Sequence, residues 1–143
     1  WEQELCPESV VMETLRLEQS EYLFRRTTRD IHWQGYRIPK GWLVRLCVRE
    51  AHRRCALVGA TSFRPQRRPV EGCCRPFGAH QHSCLGQLLT RRIGVLLVQR
   101  LARDYCLQLR ADGPREFDGW HWRPSSSFRI QLGPRFTTLL DGR

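Results

Sequence analysis

Residues 77–86 read Phe-Gly-Ala-His-Gln-His-Ser-Cys-Leu-Gly, and the interpretation of the whole chain starts from this stretch. Cys84 ends an irregular loop and directly precedes a helical pattern. The amides of a first helical turn lack intrahelical partners, and the positive end of a helix favours a thiolate. Gly86 lets a flat ligand or another backbone approach the sulfur. Cys84 is therefore a candidate anionic axial ligand for iron, and the residues alone leave open that it is a buried structural cysteine.

Residues 85–104, which follow this cysteine, have the strongest helical periodicity in the chain. Their apolar side chains recur at helical spacing, and arginine and glutamine fill much of the remainder. The apolar set is Leu85, Leu88, Leu89, Ile93, Leu96, Leu97 and Leu101. The pattern predicts an amphipathic helix whose apolar stripe needs a partner surface. The short helix and the short strands could supply such a surface, but they cannot easily hold the long loop over 53–83 as well, so we expect the chain to be a piece of a larger fold.

The other elements are shorter, and together they predict the α+β class. Residues 7–18 are predicted as a helix, because Pro7 suits a first helical position and Glu8 favours its positive end. The remaining predictions are irregular structure over 19–30, two strands over 31–38 joined near Gln34-Gly35, a strand over 42–48, a long ordered loop over 53–83, and strands over 117–122 and 128–132. A loop of that length inside a domain tends to be functional.

Length and composition indicate one domain or part of one. The chain has 143 residues, of which 41% are hydrophobic and 27% charged, and this argues against wholesale disorder. No apolar run reaches roughly 18 residues, so we expect no membrane span within the chain. The seven cysteines are odd in number and irregularly spaced, which argues against a complete disulfide framework. We expect most of them to be buried and reduced.

The net charge of +10 comes almost wholly from arginine, because Lys40 is the only lysine among the 24 basic residues. This charge and the five tryptophans allow a nucleic-acid-binding module as one alternative function. The arginines are scattered and no binding motif is present, so we expect no nucleic-acid partner. A small zinc-binding domain is a second alternative, although its potential ligands lack the usual two-pair spacing: Cys73, Cys74, His80, His82 and Cys84.

The stretch FGAHQHSCLG resembles the haem-binding loop of the cytochrome P450 superfamily, the haem-thiolate monooxygenases. That loop reads F-x-x-G-x-[RH]-x-C-x-G. Phe77, His82, Cys84 and Gly86 match it, whereas His80 stands where the family has glycine. The resemblance implies haem b as the cofactor, with Cys84 as the axial ligand of the iron. It also implies a tight turn at residue 80, where a positive φ is expected.

Two more segments resemble motifs of the same family and lie in the family's order. Glu13-Thr14-Leu15-Arg16 is similar to the E-x-x-R motif of a helix, and Glu and Arg at this spacing share a helix face. Phe63-Arg64-Pro65-Gln66-Arg67 is similar to the F-x-P-x-R motif. The resemblance implies that Glu13, Arg16 and Arg67 form a buried charged cluster. Its implied role is to brace the loop that carries Cys84, and breaking it should cost more than breaking a surface pair.

A further segment, GYRIPKGW at residues 35–42, resembles the family's strand pair after the E-x-x-R helix. Arg25, ten residues before it, then matches a family arginine that binds a haem propionate. His82 matches the family's Arg or His with the same role. Charge-assisted hydrogen bonds suit two such carboxylates. Without the resemblance, Arg25 would be interpreted as a solvated arginine and His82 as a loop histidine without a role.

The resemblance extends from about Pro7 to Leu140 and corresponds to the C-terminal portion of the family. It implies a mainly helical cytochrome P450 fold, in which residues 1–143 are the C-terminal haem-binding part and the N-terminal part is absent. GYRIPKGW and the tail LGPRFTTL are most similar to the retinoic-acid-hydroxylating group and its cyanobacterial relatives.

The implied activity is O₂-dependent hydroxylation of an apolar small molecule of the retinoid or sterol kind. The resemblance also implies electrons from NAD(P)H, delivered by a reductase or ferredoxin that docks on a basic surface. The helix that crosses the distal haem face in the family has no counterpart in the chain. We therefore expect the chain to be inactive by itself. We expect its location to be the cytoplasm or the cytoplasmic face of a membrane.

Overall fold

A computed structural model describes residues 5–19, 22–54, 59–67, 74–119 and 122–135. Over these ranges the chain forms, in order, α1 (Pro7–Glu18), β1 (Tyr22–Arg26), β2 (Ile31–Trp33), β3 (Tyr36–Ile38), β4 (Leu43–Cys47), α2 (Val48–Arg53), a 3₁₀ turn (His80–His82), α3 (Gln87–Asp104), β5 (Tyr105–Ala111), β6 (Arg115–Phe117), β7 (Trp122–Pro124) and β8 (Arg129–Pro134). Helices and short antiparallel strands are thus mixed, and the predicted α+β class is confirmed.

The strands pair two by two, and each pair is antiparallel. The β2–β3 hairpin lies in sequence between the paired strands β1 and β4, and β6–β7 lies in the same way between β5 and β8. The turn of the β2–β3 hairpin holds Gln34 at φ +48° and Gly35 at φ +82°. A type I′ hairpin requires positive φ at both positions. These sheets are small, so the helices and loops must supply most of the remaining contacts.

Helix α1 contacts both other helices. It approaches α3 at Gly94, where a Cβ atom would lie 3.1 Å from the methyl carbons of Val11. Near its C-terminal end, Arg49 and Arg53 of α2 donate hydrogen bonds of 3.1 and 3.3 Å to the carbonyl of Leu17. Helix α1 is thereby fixed by both α3 and α2, and it carries the charged cluster described below.

Several predicted elements are confirmed by the structure. The helix over 7–18 has the expected bounds, the two strands over 31–38 meet at Gln34-Gly35, and β4 occupies most of 42–48. The long amphipathic helix is present, and it begins at Gln87 because Gly86 is its N-terminal cap. The described parts of the loop over 53–83 contain turns and a 3₁₀ turn after α2 ends at Arg53.

The sequence analysis does not predict β1, α2 or β5, and its single strand over 117–122 is wrong, because this region is the hairpin of β6 and β7. Residues 22–26 were expected to be irregular, but they form β1, because the distant strand β4 supplies their backbone hydrogen bonds. Helix α2 has only six residues, which is too short to show a helical period. Strand β5 alternates Tyr105, Leu107 and Leu109, which is the period-two pattern of a strand.

The prediction that most cysteines are buried is wrong for the described part of the chain. Cys6, Cys47, Cys84 and Cys106 are exposed and free, and Cys74 is half-buried and free. Their exposure follows from the small extent of the apolar core. Cys55 and Cys73 lie outside the described residues.

The apolar stripe of α3 faces outward over most of its length. Leu88, Ile93 and Leu97 are 74%, 57% and 56% exposed. Among the described residues, the buried large apolar side chains are Val11 and Leu17, both on α1. The partner surface that the stripe requires is therefore not supplied by the described residues. No helix in those same ranges combines the length and the apolar character needed to cross a bilayer.

Candidate haem-binding site

The loop before Cys84 is a tight turn with two left-handed residues. Gly78 has φ +75°, and a Cβ atom on it would lie 2.8 Å from the carbonyl oxygen of His82, so this position requires glycine. His80 has φ +53°. The sequence analysis expected a positive φ at residue 80, and the structure has one. A histidine therefore holds a conformation that glycine adopts at lower cost.

Backbone hydrogen bonds close this loop and present Cys84 at its end. The Cys84 amide donates to the carbonyl of Phe77 at 2.8 Å, and the Gly78 amide donates to the carbonyl of Arg75 at 3.1 Å. On the helical side, the Gln87 amide donates to the carbonyl of Cys84 at 3.2 Å. Cys84 thus sits between a closed turn and the first turn of α3, whose amides form the positive end of the helix.

The surroundings of the Cys84 sulfur fit a flat macrocycle. The side chain is exposed, and Leu85 next to it is fully exposed. A Cβ atom on Gly86 would lie 3.7 Å from Sγ, so the missing side chain keeps that flank of the sulfur open. Phe77 is half-buried at the start of the turn. An exposed thiol at a helix N-terminus, with apolar neighbours and an open flank, suits a haem iron ligand.

The two residues matched to haem propionates are both on the surface. Arg25 lies on β1, is exposed, and donates a 2.7 Å hydrogen bond to the carbonyl of Phe24. His82 lies at the end of the 3₁₀ turn and is exposed. The structure therefore leaves both side chains accessible to a ligand carboxylate, and it places only His82 in the loop of Cys84.

Glu13, Arg16 and Arg67 lie together in the interior. Arg16 forms a bidentate pair with Glu13, through Nε to Oε2 at 2.7 Å and Nη2 to Oε1 at 2.8 Å. Arg67 Nε donates to Glu13 Oε1 at 3.3 Å. Glu13 is 5% and Arg16 2% exposed. The three side chains thus meet in one charged cluster, in which Glu13 and Arg16 are buried and Arg67 is half-buried.

This charged cluster also binds backbone groups of the segment 59–67. Arg16 Nη1 donates to the carbonyl of Ala60 at 2.6 Å, and Arg67 Nη2 donates to the carbonyl of Gly59 at 2.7 Å. The Arg64 amide donates to Glu13 Oε1 at 3.0 Å. The side chains of the cluster thereby hold an irregular segment that has little secondary structure of its own.

The electrostatics of the cluster favour its charged forms. Burial alone would raise the pKa of Glu13, but hydrogen bonds from Arg16, from the Arg64 amide and from Arg67, with the positive charge of Arg16, hold that pKa below its usual range. The hydrogen bond from Glu13 raises the pKa of Arg16 against the effect of burial. The lowered pKa of Glu13 and the raised pKa of Arg16 both favour the charged forms, so these two side chains form an ion pair at neutral pH.

Two residues near the site escaped the sequence analysis. His52 of α2 is 5% exposed and accepts a hydrogen bond from the Arg75 amide at 2.9 Å. Gln19 Nε2, after the end of α1, donates to the carbonyl of Pro76 at 2.7 Å. Both contacts hold the chain just before the Cys84 loop. A lone histidine and a lone glutamine give no periodicity or spacing signal, so the sequence alone could not have identified them.

The zinc alternative gains no support from the described residues. Over those ranges no three His, Cys, Asp or Glu side chains are grouped closely enough to hold a metal ion. Burial raises the pKa of the Cys74 thiol, with the charge of Arg16 opposing this effect, so Cys74 is not a ready thiolate. Cys73 lies outside the described residues.

Comparisons with known proteins show which family the chain is similar to. The family model for cytochrome P450 matches residues 7–131. The chain is 33% identical over 144 residues to taxoid 14-beta-hydroxylase of Taxus cuspidata, covering 93% of this chain and 28% of that protein. It is 36% identical over 107 residues to cytochrome P450 26C1 of Mus musculus, covering 66% of this chain and 21% of that protein.

A solved structure shows the same fold. The retinoic-acid-bound cyanobacterial CYP120A1 superimposes with a TM-score of 0.78 and 26% identity, over 90% of this chain and 32% of that chain. The chain therefore spans about a quarter of the length of the curated relatives and about a third of the solved structure.

Proposed function

The chain belongs to the cytochrome P450 family, and from this premise we propose that it is the C-terminal, haem-binding part of a monooxygenase. The observation that carries the proposal is the placement of Cys84, exposed at the end of a closed turn and against the N-terminus of α3. Its sulfur is the proposed axial ligand of haem b.

Several residues of the chain would hold the cofactor, each through a different contact. Cys84 would supply the sulfur ligand, and the first-turn amides of α3 would stabilise negative charge on it in the haem-bound chain. Gly86 and Phe77 shape the flank and the start of the turn. Arg25 and His82 would bind the haem propionates by charge-assisted hydrogen bonds. The bound haem would supply the O₂ chemistry that inserts one oxygen atom into a substrate and reduces the other to water.

The proposed substrate is an apolar small molecule of the retinoid or sterol kind. Two names among the similar proteins support this class: one is a taxoid hydroxylase, and one structure holds retinoic acid. Electrons would come from NAD(P)H through a reductase or ferredoxin. The net charge of +10 supports a docking surface for an acidic redox partner, because opposite charges steer association.

We further propose that these 143 residues alone do not turn over substrate. The chain spans about a third of the solved P450 structure. The apolar stripe of α3 is exposed, which is consistent with a surface that the remainder of a P450 fold covers. The proposed location is the cytoplasm or the cytoplasmic face of a membrane.

Haem titration tests the cofactor assignment. The full chain is titrated with haem, reduced and exposed to carbon monoxide, and the difference spectrum is recorded. We expect the absorption band of a thiolate-ligated adduct. Cys84→Ser should abolish that band, whereas Cys106→Ser, which removes another exposed cysteine, should leave it unchanged. A band that survives in Cys84→Ser would overturn the assignment.

Reconstitution tests the proposed inactivity. The haem-loaded chain is mixed with a P450 reductase and NADPH, and products of retinoid and sterol substrates are measured. We expect none above the background of the reductase alone. Hydroxylated product at a rate that depends on Cys84 would refute the proposal that further polypeptide is needed.

A further inference from the structure

A buried histidine joins α1 to the segment that leads into the Cys84 loop. His52 lies on α2 and is 5% exposed. Its Nδ1 is 3.2 Å from the carbonyl oxygen of Arg16, and its Nε2 accepts the amide hydrogen of Arg75 at 2.9 Å. Both ring nitrogens are thus used, and both partners are backbone groups of other elements.

The partners of His52 fix its protonation state. A carbonyl oxygen only accepts and an amide only donates, so Nδ1 carries the proton and Nε2 presents its lone pair. Burial lowers the pKa of His52, and the positive charge of Arg16 lowers it further, against the hydrogen bond to the Arg16 carbonyl. The imidazole is therefore neutral at pH 7, and a second ring proton would face the Arg75 amide.

Arg75 is close to the site along the backbone. Its neighbour Pro76 is buried, and the Pro76 carbonyl accepts the 2.7 Å hydrogen bond from Gln19. The next residue is Phe77, whose carbonyl accepts the Cys84 amide at 2.8 Å. Three successive residues are thus hydrogen-bonded: Arg75 to α2, Pro76 to Gln19 after the end of α1, and Phe77 to Cys84.

We propose that His52 is a positioning residue for the Cys84 loop: its neutral Nδ1–H tautomer connects the Arg16 carbonyl of α1 to the Arg75 amide and so sets where the loop begins. This role rests on the proposed haem-thiolate function, because a fixed loop matters only if Cys84 must be held in place to bind iron. His52 acts through the backbone and touches neither the cofactor nor the substrate.

Two substitutions separate the two contacts of His52. In His52→Gln, the side-chain amide can place its oxygen where Nε2 lies, so it keeps an acceptor for Arg75 and loses the donor to Arg16. In His52→Asn, the amide nitrogen takes the place of Nδ1, so it keeps the donor to Arg16 and loses the acceptor for Arg75. Each variant removes one hydrogen bond and retains a polar amide.

Amide hydrogen exchange of the haem-free chain is the first readout. The Cys84 amide keeps its own partner, the Phe77 carbonyl, in both variants, so its exchange rate reports the position of the loop. We expect this rate to rise about tenfold in His52→Asn and by less than about threefold in His52→Gln. Amides of the β5–β8 ladder serve as the reference for global unfolding. Equal rates at Cys84 in the two variants would overturn the proposal.

The unsubstituted chain provides a measurement that does not depend on how the variants fold. Nitrogen-15 NMR of the His52 ring should show a neutral imidazole protonated on Nδ1 at pH 7. A ring protonated on Nε2, or a charged ring, would overturn the proposal.

The haem-loaded chain adds a third readout: the fraction of thiolate-type carbon monoxide adduct should fall in His52→Asn and persist in His52→Gln. Failure of the unsubstituted chain to bind haem would refute the proposed function, whereas the exchange and NMR results judge His52 separately.

Discussion

His80 is held in a left-handed backbone conformation beside the candidate ligand Cys84, and this affects how firmly the turn holds. A residue with a Cβ atom pays about 1–2 kcal/mol for that conformation, although histidine tolerates it better than β-branched residues do. Gly78, two residues earlier, has the same kind of φ without that cost.

The left-handed φ at residue 80 was predictable from the family's loop pattern. The stabilising contacts of the turn, such as the Cys84 amide on the Phe77 carbonyl, were not, because hydrogen-bond partners of an irregular loop leave no sequence pattern.

Replacing His80 by glycine should stabilise the folded chain. The relief of the left-handed strain exceeds the added entropy of the unfolded glycine chain by about 0.5 kcal/mol. Urea unfolding followed by circular dichroism measures the change. His80→Ala is the matched control, because it removes the imidazole and keeps the Cβ atom, so it should bring no gain. Equal stabilisation by alanine and glycine would show that the imidazole, and not the backbone, is the source of the cost.

Hydrogen bonds of a charged cluster join helix α1 to the segment 59–67. Glu13 receives hydrogen bonds from Arg16, from Arg67 and from the Arg64 amide, and the arginines in turn bind carbonyl groups of the segment. The spacing of Glu13 and Arg16 on one helix face was predictable from the sequence. The carbonyl partners were not, because their positions depend on the path of a chain that has no periodic pattern.

Glu13→Gln should destabilise the chain strongly. It leaves the buried Arg16 without its counter-charge, and breaking a buried pair costs about 3–5 kcal/mol. Glu8→Gln is the matched control on the same helix: Glu8 pairs with Arg91 at the surface, where such a pair contributes about 1 kcal/mol or less. Urea unfolding at pH 7 measures both. A loss for Glu13→Gln as small as that for Glu8→Gln would contradict the buried charge cluster.

The same cluster predicts a pH dependence of folding. The pKa of Glu13 is lowered from its ordinary value of 4.5 in the folded chain, so the unfolded chain binds more protons below that pH. The stability from this group is complete above pH 4.5 and is lost as the pH falls further, through the lowered pKa of the folded state. The decline in unfolding free energy below pH 4.5 should be less steep in Glu13→Gln than in the unsubstituted chain. Parallel curves would mean that other carboxyl groups cause the decline.

The molecule as a whole has more buried polar side chains than buried large apolar ones among its described residues. Glu13, Arg16, Thr27, His52 and Ser125 are buried, whereas the large apolar side chains below the surface there are Val11 and Leu17. Polar contacts orient elements, but apolar burial is what drives folding. The sequence showed that the helix over 85–104 has an apolar stripe. It could not show that the stripe is exposed, because exposure depends on what the other elements cover.

A pair of leucine truncations measures how far the stripe contributes to the stability of the chain alone. Leu17→Ala removes a side chain that is 4% exposed and should cost about 2–5 kcal/mol. Leu97→Ala removes one that is 56% exposed and should cost about 0.5 kcal/mol or less. Urea unfolding of both variants tests this difference. Equal losses would mean that the stripe is covered in solution.

The proposed function depends on a bond between the Cys84 sulfur and the haem iron, and X-ray absorption at the iron edge measures this bond. The haem-loaded chain should show one sulfur atom in the first coordination shell of the iron. Cys84→Ser should replace it by oxygen or nitrogen, and Cys106→Ser should keep it. An iron shell of nitrogen and oxygen alone in the unsubstituted chain, or a sulfur that persists in Cys84→Ser, would rule out Cys84 as the iron ligand.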